Sequence, residues 1–151
     1  MVIKLTETDI RNIVKTVLTE TMTRLPKALF HKANPLYRKS IATKGLIPQI
    51  GDSYKCHWEG TEDKNNLIPL VFLYDIKKDE EYDSTYDDDI WAVDTSQLDI
   101  AHIGKDPDPW MKSLTYDKPI PPSALKLIYK GRKYRDSDDA PDHSDIYKNY
   151  L

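Results

Sequence analysis

Residues 28–48 read ALFHKANPLYRKSIATKGLIP, and this stretch decides the fold. Ala28 to Ala33 has the pattern of a strand, with Leu29 and His31 on one face and Phe30 on the other. Asn34-Pro35 then starts a helix, with Asn as the cap and Pro in the first turn. The helix runs to about Lys44, whose charge suits the negative helix end, and Gly45 is a C-terminal stop. Leu46-Ile47-Pro48 leaves it as an extended segment. A strand, a capped helix and a glycine stop predict a mixed α+β domain rather than a bundle or an all-β sandwich.

Upstream, Glu7 to Arg24 reads as an amphipathic helix. Thr6 caps it, and Asp9, three residues later, makes a weaker version of the capping box. Ile10, Ile13, Val14, Val17 and Leu18 follow the spacing of one helical face, while Arg11, Lys15 and Glu20 fall elsewhere. Pro26 closes the segment. A helix packed on the domain and a separable docking helix for a partner both fit this pattern.

Downstream, Gly51 to Asn66 is a loop. Leu67 to Tyr74 is the most apolar run in the chain and reads as a buried strand, its start moved toward Leu70 by Pro69. Asp79 to Asp89 holds seven acidic residues with no Gly or Pro, the composition of an exposed loop. Ile90 to Asp94 reads as a second buried strand. Gln97 to Asp108 is irregular and ends in an Asp-Pro-Asp-Pro turn signal. Ser113 to Asp117 suits a short strand and Ala124 to Tyr129 a final one. Beyond Gly131 the chain is polar, with five Asp, and reads as a loosely attached tail.

The length of 151 residues fits one domain. Ten Tyr stand against two Phe, which places aromatic area with polar tips at a cleft or an interface. A net charge of −3 argues against broad, nonspecific nucleic-acid binding. The single cysteine, Cys56, allows no intramolecular disulfide and points to a reducing compartment. No apolar run resembles a signal peptide or reaches membrane-spanning length, so no membrane partner is expected.

Chemistry-bearing motifs are few. Cys56 and His57 are adjacent, but no CxxC or HxxxH pair supports them, so no metal site is expected. The acidic run lacks the spacing and central Gly of an EF-hand. Ser96, Asp99 and His102 could be drawn as a triad, but nothing marks Ser96 as a strained nucleophile. Five Gly in the whole chain leave no glycine-rich phosphate loop.

What remains is a spread constellation. Leu29-Phe30-His31 is followed by Ile41 and Lys44-Gly45-Leu46-Ile47-Pro48. Then come Val71-Phe72-Leu73-Tyr74, Trp91-Ala92-Val93-Asp94-Thr95 and Ile120-Pro121-Pro122-Ser123-Ala124-Leu125-Lys126-Leu127-Ile128. In this order the segments resemble the ADP-ribosyltransferase superfamily, near its tRNA 2′-phosphotransferase and DarT-like branches. The resemblance implies a split β-sheet with NAD, as substrate, bound in the cleft between its halves. It implies that His31 holds the ribose of NAD and that Tyr74 flanks the nicotinamide. Many catalytic members carry a Glu where this chain has Ser123. Ser123 can hydrogen-bond but brings no charge to steady a ribosyl cation, and Asp117 is the nearest acid in sequence. Read from the strands alone, His31 and Tyr74 are equally core side chains.

Lys4 to Lys15 also resembles a short leader found at the start of proteins of gut Bacteroidales phages related to crAssphage. That likeness implies a phage protein in the host cytoplasm or the virion, with residues 7–24 docking a phage structural protein. Three parts are therefore expected: residues 1–26 as a helical leader, 27–130 as an α+β, ADP-ribosyltransferase-like domain, and 131–151 as a polar tail. Two functions are expected in turn. One is an NAD-dependent transferase acting on a host protein or nucleic acid, with His31, Tyr74 and Ser123 as its site. The other is a noncatalytic binding module or virion cargo protein of the same fold.

Overall fold

The computed structural model describes residues 4–51, 54–55, 66–76, 87–108, 110–132 and 146–150. Cys56, His57, most of the acidic run and residues 133–145 lie outside that set. Among the described residues two α-helices and six strands are formed: α1 (Glu7–Arg24), β1 (Ala28–Ala33), α2 (Arg38–Lys44), β2 (Val71–Leu73), β3 (Asp89–Asp94), β4 (Ile103–Lys105), β5 (Leu114–Tyr116) and β6 (Leu125–Tyr129). The strands make two antiparallel three-stranded sheets, ordered β1-β3-β6 and β2-β5-β4. The expected α+β class is thus formed.

The start and stop signals act as their chemistry requires. Thr6 Oγ1 accepts the Asp9 N–H at 3.1 Å, and Asp9 Oδ2 accepts the Thr6 N–H at 2.8 Å, a reciprocal cap on α1. Asn34 Oδ1 accepts the Leu36 N–H at 3.0 Å and opens a 3-10 turn, Pro35–Tyr37, which runs into α2. Gly45 ends α2 at φ +80, a conformation that a side chain disfavours. A Cβ there would also collide with the Ile120 carbonyl. The close approach is used: Leu46 and Ile120 exchange N–H···O bonds of 3.0 and 2.9 Å, which ties the segment after α2 to the one before β6.

Among the described residues, one backbone bridge joins the two sheets. Phe30 N–H donates to the Tyr74 carbonyl at 3.0 Å, and Tyr74 N–H to the Phe30 carbonyl at 2.9 Å. Two apolar clusters form on either side of this joint. The larger gathers Leu29, Trp91 and Val93 from the first sheet with Val71, Leu73 and Tyr116 from the second, closed by Ile41, Leu46 and Ile120. Each fully buried side chain such as Leu29, Leu73 or Ile120 contributes about 1.5–3 kcal/mol. The smaller cluster, Phe30, Tyr74, Ile90 and Ala92, lies on the opposite face of β1 and β3.

Three expectations change. The tail does not hang free over residues 146–150: Ile146, Tyr147 and Tyr150 pack on the smaller cluster. The end of the acidic run is not solvated, because Asp87 and Asp89 are buried. Asp89 takes Arg38 Nε and Nη2 at 2.9 and 2.6 Å and the Gly131 N–H at 2.9 Å. Asp87 accepts the Tyr129 hydroxyl at 2.6 Å and two N–H groups of Arg132 at 3.0 Å. The third change lies in the region read as irregular, Gln97 to Asp108, which contains β4 and the 3-10 turn Ile100–His102.

The helix α1 forms over the expected residues, and the described part of its apolar face is half open. Ile10, Ile13, Val14 and Val17 are each about half exposed. Among the described residues, no helix is long and apolar enough to cross a membrane.

Candidate functional site

Past the Phe30–Tyr74 joint, β1 and β2 no longer pair, and a cleft of about 470 Å³ opens between them. Its walls come from residues 31–33 of β1 and Asn34 after it, from Tyr37, Ser40 and Ile41 around the start of α2, from Gly45 and the extended segment that follows it, and from Leu70, Val71 and Phe72. Tyr54 closes one side, its ring packed edge-on against Phe72 at 5.1 Å between centroids. The stretch of sequence that decides the fold therefore also builds most of the cleft.

His31 is partly buried in this wall, and its Nδ1 lies 2.9 Å from the Phe72 carbonyl oxygen. A carbonyl only accepts, so Nδ1 carries the proton and donates. Burial lowers the imidazole pKa below its ordinary value, and the bond to Phe72 opposes this less strongly. The ring is accordingly neutral near pH 7, with Nε2 an acceptor. Asn34, Ser40 and Gln49 add polar side chains to the same cleft. Among the described residues that line it there is no carboxylate.

Tyr74 does not share this cleft. Directly opposed residues of an antiparallel pair project to the same side, so the bridge to Phe30 puts Tyr74 on the face away from His31. Its ring lies 5.9 Å from Phe30, its hydroxyl 3.0 Å from that of Tyr147, and the Lys32 ammonium 5.7 Å from its centroid. The expectation that His31 and Tyr74 flank one ligand is corrected by this register.

Ser123 is exposed in the 3-10 turn Pro122–Ala124. Its hydroxyl donates to Gln97 Oε1 at 3.0 Å, and its carbonyl accepts from Gln97 Nε2 at 3.1 Å. It is not part of the cleft wall. Asp117, the nearest acid in sequence, instead pairs with His102 Nδ1 at 2.8 Å. The triad drawn from Ser96, Asp99 and His102 does not assemble, since the Ser96 hydroxyl donates to Asp94 at 2.7 Å.

Of the three side chains assigned from sequence, the structure thus brings only His31 to the cleft. Asn34 was legible as a helix cap but not as a lining residue. Tyr54 falls in a stretch whose sequence has no periodicity. Phe72 acts on His31 through its carbonyl, for which side-chain patterns carry no signal. Compared with protein-family models, with curated proteins and with solved structures, the chain matches none.

Proposed function

We propose that the chain is an ADP-ribosyltransferase-like phage protein that binds NAD in the cleft beside His31 and transfers ADP-ribose to a host protein or nucleic acid. One observation carries this reading. With Nδ1–H committed to the Phe72 carbonyl, His31 offers Nε2 as an acceptor for a ribose hydroxyl, at the place where two small sheets part. The order of the segments around it, from Leu29-Phe30-His31 to Ile120-Pro121-Pro122, supports the same fold family. The likeness of the leader to phage proteins supports the host cytoplasm or the virion as the location.

A second reading, a noncatalytic binding module or virion cargo protein docked through residues 7–24, has its own support. Ser123 stands where many members carry Glu, it is held by Gln97, and no carboxylate lines the described cleft. Breaking the nicotinamide bond builds positive charge on the ribose, and without a nearby anion that charge is left without its main stabiliser.

Incubation with labelled NAD and host lysate, reading protein and nucleic-acid fractions separately, distinguishes the two. The transferase reading expects label in one fraction, strongly reduced by His31→Ala. NAD binding in calorimetry with no label in either fraction supports the noncatalytic binding module. No binding of NAD at all rejects the transferase reading and leaves the virion cargo protein.

A further inference from the structure

The strongest unused feature is the C-terminal segment, residues 146–150, which lies across the face of the first sheet that the cleft does not use. Tyr147 meets the Phe30 ring edge-on at 5.0 Å, and Tyr150 meets it edge-on at 5.4 Å. The Tyr147 hydroxyl reaches that of Tyr74 at 3.0 Å. Ile146 packs on the same cluster. These contacts fall on Phe30 and Tyr74, the two residues whose backbones join the sheets.

That joint is one residue from His31 along β1 and two residues from Phe72 along β2. Both partners of the His31–Phe72 bond, 2.9 Å long, are therefore set by the same bridge. Beyond the bridge, β1 and β2 separate, so no further ladder holds them at this spacing. The aromatic cover keeps water from Phe30 and Tyr74, which are 1% and 4% exposed. Without it, two large rings face solvent at the backbone bridge between the sheets, and opening of the bridge becomes easier.

We propose that residues 146–150 are a strap that locks the Phe30–Tyr74 joint and so positions His31 in the cleft, with Tyr147 and Tyr150 as positioning residues. The strap acts through the joint and touches no ligand. Burial raises the Tyr147 phenol pKa, so it stays a neutral hydroxyl able to share its proton with Tyr74 across the working pH range. As a statement about the joint, the proposal stands on the fold alone. As a statement about ligand affinity, it rests on the NAD reading.

The test is amide hydrogen exchange on the full-length protein and on its Tyr147→Ala/Tyr150→Ala variant, with NAD affinity measured in parallel. The expected result is that the Phe30 and Tyr74 amides exchange about a hundredfold faster in the variant, while the β3 amides of Trp91 and Val93 change little. NAD affinity falls about tenfold, and this loss disappears in a His31→Ala background, where there is no ring left to position. Tyr147→Phe, which keeps the ring and removes only the hydroxyl, gives a smaller acceleration confined to the joint. Unchanged exchange at Phe30 and Tyr74 overturns the proposal. So does uniform acceleration of all sheet amides, which means that the segment only adds global stability. If the double variant does not fold, Tyr147→Phe decides by the same criterion. Joint-specific acceleration without NAD binding retains the strap and rejects the NAD reading, so the two can fail separately.

Discussion

At the residue scale, His31 carries the account, and its protonation is the first thing to test. Its pKa in the folded chain is lowered by burial, so the unfolded chain binds the extra proton more readily. The stability linked to His31 is therefore present above the ordinary histidine pKa, about 6.5, and is lost as pH falls below it. We expect the melting temperature to drop between pH 7.5 and 5, and His31→Gln to flatten that drop; equal slopes in both proteins would show that the imidazole is not held neutral. The position of His31 was legible from strand alternation, which set it with Leu29 and opposite Phe30. The face of Tyr74 was not, because it depends on the register between β1 and β2, and a shift of one residue moves a side chain to the other face. Ser123 was legible as a departure from a pattern, but its partner, Gln97, is 26 residues away and no local signal names it.

At the element scale, α2 and its ends are the part most readable from sequence. Asn34, Pro35 and Gly45 act through local sterics and hydrogen bonds, which short motifs record. Gly45→Ala combines an unfavourable φ with a clash at the Ile120 carbonyl, and should cost about 2–4 kcal/mol in chemical denaturation. A loss below half a kcal/mol would mean that the turn can rearrange. The other anchor of α2 was not readable. Arg38 and Asp89 are 51 residues apart, and Asp89 sits at the end of an acidic run whose composition suggests solvent. Arg38→Ala leaves a fully buried carboxylate without its guanidinium and should cost about 3 kcal/mol. Asp87, beside it, responds to acid. Burial pushes its carboxyl up, but hydrogen bonds from Tyr129 and Arg132 outweigh this and hold it below the usual range. Its contribution is present above the ordinary Asp pKa, about 3.9, and is lost as pH falls through the lowered value. Asp87→Asn should therefore weaken the acid-unfolding transition below about pH 4 while also lowering stability at neutral pH.

At the scale of the whole molecule, the α+β class followed from the alternation of strand and helix signals, whereas the division into two three-stranded sheets depends on long-range pairing. β4 escaped because three residues containing a Gly carry no period, and the C-terminal strap escaped because its few aromatics are diluted by a polar tail. The apolar stripe of α1 was legible, and Ile10, Ile13, Val14 and Val17 are about half exposed. Deleting residues 1–25 should leave a soluble protein with a single cooperative melt, its midpoint within a few degrees of the full chain. A molten or insoluble product would show that α1 completes the core. The central claim is that the cleft beside His31 is an NAD site, and titration calorimetry tests it most directly. Saturable binding of NAD by the unmutated protein is expected, weakened in His31→Ala by about 1–3 kcal/mol, roughly ten- to a hundredfold. No heat of binding at millimolar NAD, or an affinity indifferent to His31→Ala, would contradict it.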